Sequence, residues 1–358
     1  MTRTRSRLAG AALAVCVIGL AAFRSRERSN QVSDPKPEPA IPAILAAFDT
    51  FSIVAIGDVH RTKDITDFVL GLVRNPGFAD KVNDFVVEGT NPLLQPTLDR
   101  YINGESVPYE EARKLWRETT TPFGSSDFEA QLFQLIREIN RTRPQQRRIR
   151  VIASEAPVDW NAPREPGGAD MDRREQRISS VVKSEVLARR RKALMFYGGG
   201  HLRRDRPYAS SVELIEQTYP RSVFVVTAYA GVMDRDYCTS DSALDARMQS
   251  WPVPSVVRVR GNWMLDVARD EEARRPKIAM FATTERRDST AVPIDAYLYL
   301  GPPRLLLREF PSVFTFADSA YLALLHQRQL SIGMTVIDAR TNPKVVATQD
   351  QHVLRCGS

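Results

Sequence analysis

The stretch Ser52-Ile53-Val54-Ala55-Ile56-Gly57-Asp58-Val59-His60 constrains this chain more than any other. A short apolar run rich in β-branched residues predicts a buried strand. It stops abruptly in glycine, a carboxylate and a histidine, so the strand delivers polar groups at its carboxyl end. The pattern returns at Ala193-Leu194-Met195-Phe196-Tyr197-Gly198-Gly199-Gly200-His201, again an apolar run followed by G-x-x-H. The chain has only four histidines, and two of them stand in these equivalent places.

Between and after these runs, strands and helices alternate. Strands are expected at 51–56, 84–87, 149–153, 193–198 and 222–227. Helices are expected at 64–74, 109–118, 128–142, 170–191 and 212–218. This order implies βαβ units, hence an α/β fold with a mainly parallel central sheet flanked by helices. Ligands of open α/β sheets bind outside the strand carboxyl ends. Beyond Tyr229 the pattern loosens: 255–259, 296–300 and 334–337 read as further short strands and 317–325 as a helix.

At 358 residues and 43% hydrophobic, the chain can bury a full core. The net charge is +7, but Arg3, Arg5, Arg7, Arg24, Arg26 and Arg28 face Glu27 alone before residue 30, so most of the excess sits there. The remainder is close to neutral, which disfavours nucleic acid as a partner. Basic residues ahead of the apolar run Leu8–Phe23, with the small-x-small pattern Gly19-Leu20-Ala21, read as an export signal or N-terminal anchor over 1–28. The expected location is periplasmic or extracellular, with a membrane tether as an option. Pro35, Pro37, Pro39 and Pro42 mark a linker over 29–43. A single domain is expected over 44–358. Without the leader, Cys238 and Cys356 are the remaining cysteines, open to pairing or to burial as thiols.

Asp58, His60, Glu88, Glu155 and His201 each stand just after an apolar run and so reach the same rim of a parallel sheet. Two imidazoles with carboxylates match the donor types of a hydrolytic divalent-metal site, with His60, His201, Asp58 and Glu88 as ligands. A histidine oriented by a carboxylate can instead activate water without metal. On either route His60, His201 and Glu88 are the catalytic candidates, with Asp58 and Glu155 as further ligands or orienting groups. Gly57-Asp58-Val59-His60 also resembles the first block of metallophosphoesterases, but that family's G-D-x-x-D and asparagine-histidine blocks are absent. The glycine run with Arg203 and Arg204 offers a weak anion-cradle pattern that lacks a phosphate loop's lysine and serine or threonine. His326 and His352 lie outside the motifs.

At Gly57-Asp58-Val59-His60, Val86-Val87-Glu88 and Gly198-Gly199-Gly200-His201 the chain resembles the superfamily of ChaN haem-binding, Tiki, TraB and erythromycin-esterase proteins. Asp58 stands where the ChaN branch has glutamate. The resemblance implies an α/β fold with its site at the strand carboxyl ends. It also implies one of three activities: haem or iron binding, metal-dependent peptide hydrolysis with manganese, cobalt or zinc, or metal-independent ester hydrolysis. The corresponding partner is haem, or a peptide or small-molecule substrate. For haem, His60, His201 and Tyr197 are the candidate axial ligands.

Overall fold

The computed structural model describes residues 33–123, 127–162, 171–230, 242–274, 291–309, 317–333 and 353–355. The expected leader over 1–28, the run 334–337, His352 and all three cysteines lie outside these residues.

The fold is α/β. The described residues form an eight-stranded sheet in the order β1-β7-β8-β6-β2-β5-β3-β4. Here β1 is Glu38–Pro39, β2 Ile53–Asp58, β3 Asp84–Val87, β4 Arg150–Ile152, β5 Ala193–Gly198, β6 Val223–Ala228, β7 Ser255–Arg258 and β8 Ala296–Tyr299. The six strands from β8 to β4 run parallel; β7 and β1 add an antiparallel edge.

Apolar runs without alternation suit β2 and β5 because both faces of the sheet are covered. Val54 and Ile56 of β2, with Leu194 and Phe196 of β5, enter one core. Ile53 and Ala55, with Met195 and Tyr197, enter the other. The first core is closed by helices α1 (Ala40–Ala47), α2 (Lys63–Arg74), α3 (Pro76–Lys81), α4 (Gln95–Ile102) and α5 (Phe128–Arg141). The second is closed by α6 (Met171–Val182), α7 (Ser211–Glu216), α8 (Ser242–Met248) and α9 (Met264–Arg274). Each fully buried Leu, Ile or Phe contributes about 2 kcal/mol by leaving water.

The fold takes in the end of the proline-rich stretch, starting earlier than the expected linker boundary. Glu38–Pro39 pairs with β7, and α1 begins at Ala40. Pro42 falls in the first turn of α1, where no intrahelical N–H is needed, and Ala40, Ile44 and Ala47 pack into the core. The expected helix over 109–118 is two single turns, 109–112 and 114–117. The long polar helix ends in a π turn at Lys183–Leu187 before β5. Past β8, strand β9 (Leu307–Glu309) pairs with β10 (Val353–Arg355), and α10 spans Ser319–Ser331.

Candidate functional site

Adjacent strands β2 and β5 run in register, with Gly57 opposite Tyr197 and Asp58 opposite Gly198. Their outgoing connections lead to opposite faces: α2 packs in the first core, α7 in the second. Such a reversal opens a crevice at the carboxyl ends of the two strands. His60 and His201 stand on its two lips.

His60 lies on a tight turn. The next residue, Arg61, has φ 69°, a left-handed conformation uncommon outside glycine. The turn is pinned by Thr62 N–H to the Val59 carbonyl at 3.1 Å and by Glu309 N–H to the Arg61 carbonyl at 2.8 Å. Asp58 Oδ2 bonds His60 Nδ1 at 2.7 Å, and the imidazole side chain is 63% exposed. Its other ring nitrogen packs over Gly198: a Cβ there would stand 2.9 Å from His60 Nε2 and 3.2 Å from Glu88 Oε2. Gly198 has an ordinary φ of −49°, so the close approach, not the backbone, demands glycine.

His201 ends a 3-10 turn, Gly199–His201, and its side chain is only 9% exposed. Its Nδ1 is hydrogen-bonded to Glu175 Oε1 of α6, and its Nε2 lies 3.5 Å from Glu88 Oε1. Glu175 is held in turn by Ser211 N–H at 2.8 Å, and Ser211 Oγ donates to the His201 carbonyl at 2.7 Å. Glu88 accepts from Gly198 N–H at 2.5 Å and from Arg174 Nη2 at 2.8 Å. The same guanidinium nitrogen donates to Glu155 Oε1, which also accepts from Gly89 N–H at 3.2 Å. Thr120 Oγ1 donates to Glu155 Oε2 at 2.6 Å.

The electrostatics follow from these contacts. The Asp58 hydrogen bond raises the His60 pKa to about 9, against desolvation and with help from the charges of Asp58 and Glu88. Desolvation favours the neutral ring of His201, but its bonds to Glu175 and Glu88 outweigh this and raise its pKa to about 9. Burial alone would favour the protonated form of Glu88. The His201 hydrogen bond, together with the charges of His201, His60 and Arg174, instead holds its carboxyl well below the usual range.

The structure thus brings Asp58, His60, Glu88, Glu155 and His201 to one rim. Tyr197 is placed differently: it is fully buried behind His201, their ring centroids 5.8 Å apart, and its hydroxyl meets Ser154 Oγ at 2.5 Å. Arg203 and Arg204 do not form an anion cradle. Arg203 is buried against Asp205 and Glu271, and Arg204 is tied to Glu216 and Asp295. Arg174 and Glu175 lie in the helix expected at 170–191 and were not among the candidates. The available signal was stripe position: Glu175 lies on the line of Ser179, Val182 and Val186, and is itself buried.

For metal, the donor set does not fit. Among the described residues no group of three or more His, Cys, Asp or Glu side chains is arranged to hold an ion. The reason is visible: Arg174 occupies the space between Glu88 and Glu155, and both nitrogens of His201 face carboxylates. Of the haem-ligand candidates, His60 alone presents its ring to solvent.

No protein-family model and no curated protein matches the chain. Among solved structures it is similar to a Bacillus cereus protein, at TM-score 0.45 and 11% identity, over 76% of this chain and 96% of that one. It is similar to ChaN of Campylobacter jejuni, described for cofacial haem binding, at TM-score 0.36 and 11% identity, over 54% of this chain and 87% of that one. ChaN is one branch of the superfamily that the motifs resemble. A third likeness is to Pasteurella multocida toxin, whose C-terminal region is described as having a thiol-protease-like catalytic triad. There the TM-score is 0.39 at 12% identity, over 54% of this chain and 25% of that one, so the match spans a quarter of the toxin chain.

Proposed function

We propose that this chain is a hydrolase of ester or peptide bonds in which His60, oriented by Asp58, takes a proton from the attacking water. One observation carries the reading: Nδ1 of a solvent-facing imidazole is fixed by a carboxylate at 2.7 Å, leaving Nε2 at the crevice beside Glu88. A carboxylate so placed selects the tautomer and strengthens the base. Water is taken as the nucleophile: among the described residues the partners of the two rings are carboxylates, Asp58 for His60 and Glu175 and Glu88 for His201. Glu88 and the buried Glu175–His201 pair hold the opposite lip rigid and keep a compensating charge beside the imidazolium formed in the reaction. No step needs a metal.

The test is turnover of a panel of ester and peptide substrates by wild type and His60→Ala. The expected loss is about 10³-fold with folding intact; retained turnover in the variant rejects the assignment. A second reading, haem or iron binding, has one observation in its favour, the solvent-facing His60 ring. It predicts a Soret band on adding haem that shifts in His60→Ala, and identical spectra reject it. Export through the 1–28 segment belongs to the same proposal, and cell fractionation checks it.

A further inference from the structure

Glu175 of α6 has no exposed side-chain surface and lies outside every motif in the sequence. Both of its oxygens are used. Oε1 meets His201 Nδ1, and Oε2 accepts from Ser211 N–H at 2.8 Å. Ser211 Oγ donates to the His201 carbonyl at 2.7 Å, so one residue of α7 braces the histidine together with its carboxylate. The far side of the ring is equally defined: His201 Nε2 stands 3.5 Å from Glu88 Oε1. Glu88 is ionised, its carboxyl held well below the usual range. An ionised carboxylate accepts hydrogen bonds and has none to donate. A ring with a carboxylate at each nitrogen therefore needs a proton on both. With a single proton on Nδ1 it would turn a lone pair toward Glu88; with one on Nε2, toward Glu175.

Charge balance requires the same. Arg174 Nη2 donates to Glu88 Oε1 at 2.8 Å and to Glu155 Oε1 at 2.5 Å. Were His201 neutral, this one guanidinium would stand among the carboxylates of Glu88, Glu155 and Glu175 in a mostly buried cluster. Buried charge is costly unless paired.

We propose that Glu175 is a positioning residue: it keeps a proton on both ring nitrogens of His201, whose Nε2–H then holds Glu88 beside His60. The assignment rests on the hydrolytic reading above and deepens it by giving the two histidines different work. His60 takes the proton from water; His201 is a fixed cation that exchanges none. Its pKa, raised to about 9 by Glu175 and Glu88 against burial and the repulsion of Arg174, agrees with this. Glu88 is the link. Its Oε1 faces His201 and Arg174, and its Oε2 accepts from Gly198 N–H at 2.5 Å. That second oxygen and His60 Nε2 both pack over Gly198. So held, the carboxylate stays turned to the imidazolium that His60 becomes. A ring protonated at both nitrogens also has no lone pair to give a metal or a haem iron.

The experiment compares the full chain as wild type, Glu175→Gln, His201→Gln and the double variant, with melting temperature confirming the fold. Glutamine at 175 keeps an oxygen for Ser211 N–H and turns its amide N–H to His201 Nδ1, which must then be bare. Nitrogen NMR of histidine-labelled protein at pH 7 reads this without substrate, and the signal missing from His201→Gln identifies the ring. Wild type should show both His201 nitrogens protonated, and Glu175→Gln should show one bare. On p-nitrophenyl acetate each single variant should lose about tenfold in kcat, with KM within about twofold of wild type. Because Glu175 acts through His201, the double variant should lose no more than either single one. No loss in Glu175→Gln, or a loss of about a hundredfold in the double variant, overturns the assignment. So does a wild-type His201 with a bare nitrogen, or a Glu175→Gln ring that keeps both protons, whatever the turnover. A wild type inactive on every ester with both nitrogens protonated sinks the hydrolytic reading, while the hold of Glu175 on His201 stands.

Discussion

Strand β3 carries a carboxyl at its first residue and another just beyond its last, and their surroundings are opposite. Asp84, at the amino end, has no exposed side-chain surface and is gripped by two guanidiniums. Arg150 reaches it at 2.7 and 3.1 Å, and Arg191 at 2.8 to 3.0 Å. Glu185 neutralises the second positive charge through Arg150 Nη1 at 3.2 Å. Every oxygen is spoken for, and no imidazole takes part. Glu88, at the carboxyl end, meets one arginine, one amide and two histidines that can change charge. The amino end holds a locked ion cluster. The carboxyl end holds one whose charges move within reach of solvent, and only that end can do acid–base chemistry.

Breaking the locked end should show the largest effect on stability. Asp84→Asn leaves two arginines facing each other without their shared carboxylate and should cost about 3 kcal/mol in denaturant unfolding. Its kcat should equal that of wild type once the protein is folded; a fall in kcat would mean that the two ends are not independent. Gly198→Ala attacks the other end. Its added methyl meets His60 at 2.9 Å, and the exposed ring is free to swing away. Activity should fall about 30-fold from misplacement of the base, with a change in melting temperature too small to separate from wild type. Loss of folding in this variant would show that His60 is part of the packed structure.

The smallest effect is the pH dependence of stability. His201 has a folded pKa raised to about 9, so its contribution is complete below about 6.5 and is lost as pH rises through about 9. Glu88 is depressed, so its contribution is present above about 4.3 and is lost as pH falls. Melting temperature should therefore be highest between these limits and decline toward pH 9, where His60 gains its basic form. A profile flat to pH 9, or one unchanged in His201→Gln, would remove His201 from the linkage.

Much of this was legible in the sequence because both-face burial leaves an unbroken apolar run. The strand at 84–87 falls where it was expected, and β2 and β5 bring their histidines to one rim. Asp58, Glu88 and Glu155 follow for the same reason. Hidden were the residues that helices contribute. Arg174 and Glu175 sit in a run of mostly polar residues, and only tertiary packing reveals which of its faces is covered. In the last third, the short strands at 255–258 and 296–299 and the helix at 319–331 fall close to where they were expected; β9 was missed because it is three residues long and its partner β10 lies more than forty residues onward, a separation that leaves no local periodicity.

That strand also sets an order of events. Glu309 N–H holds the Arg61 carbonyl, and Leu307 N–H holds Asp64 Oδ2 at 2.6 Å, so the turn bearing His60 is fastened by residues some 240 positions later. Contacts so distant along the chain form late. The sheet can assemble from β2 to β6 while the His60 turn still samples other shapes, and that turn takes its final form only when the distant segment docks. Pulsed hydrogen exchange should find the amides of Thr62 and Glu309 protected after those of β2 and β5.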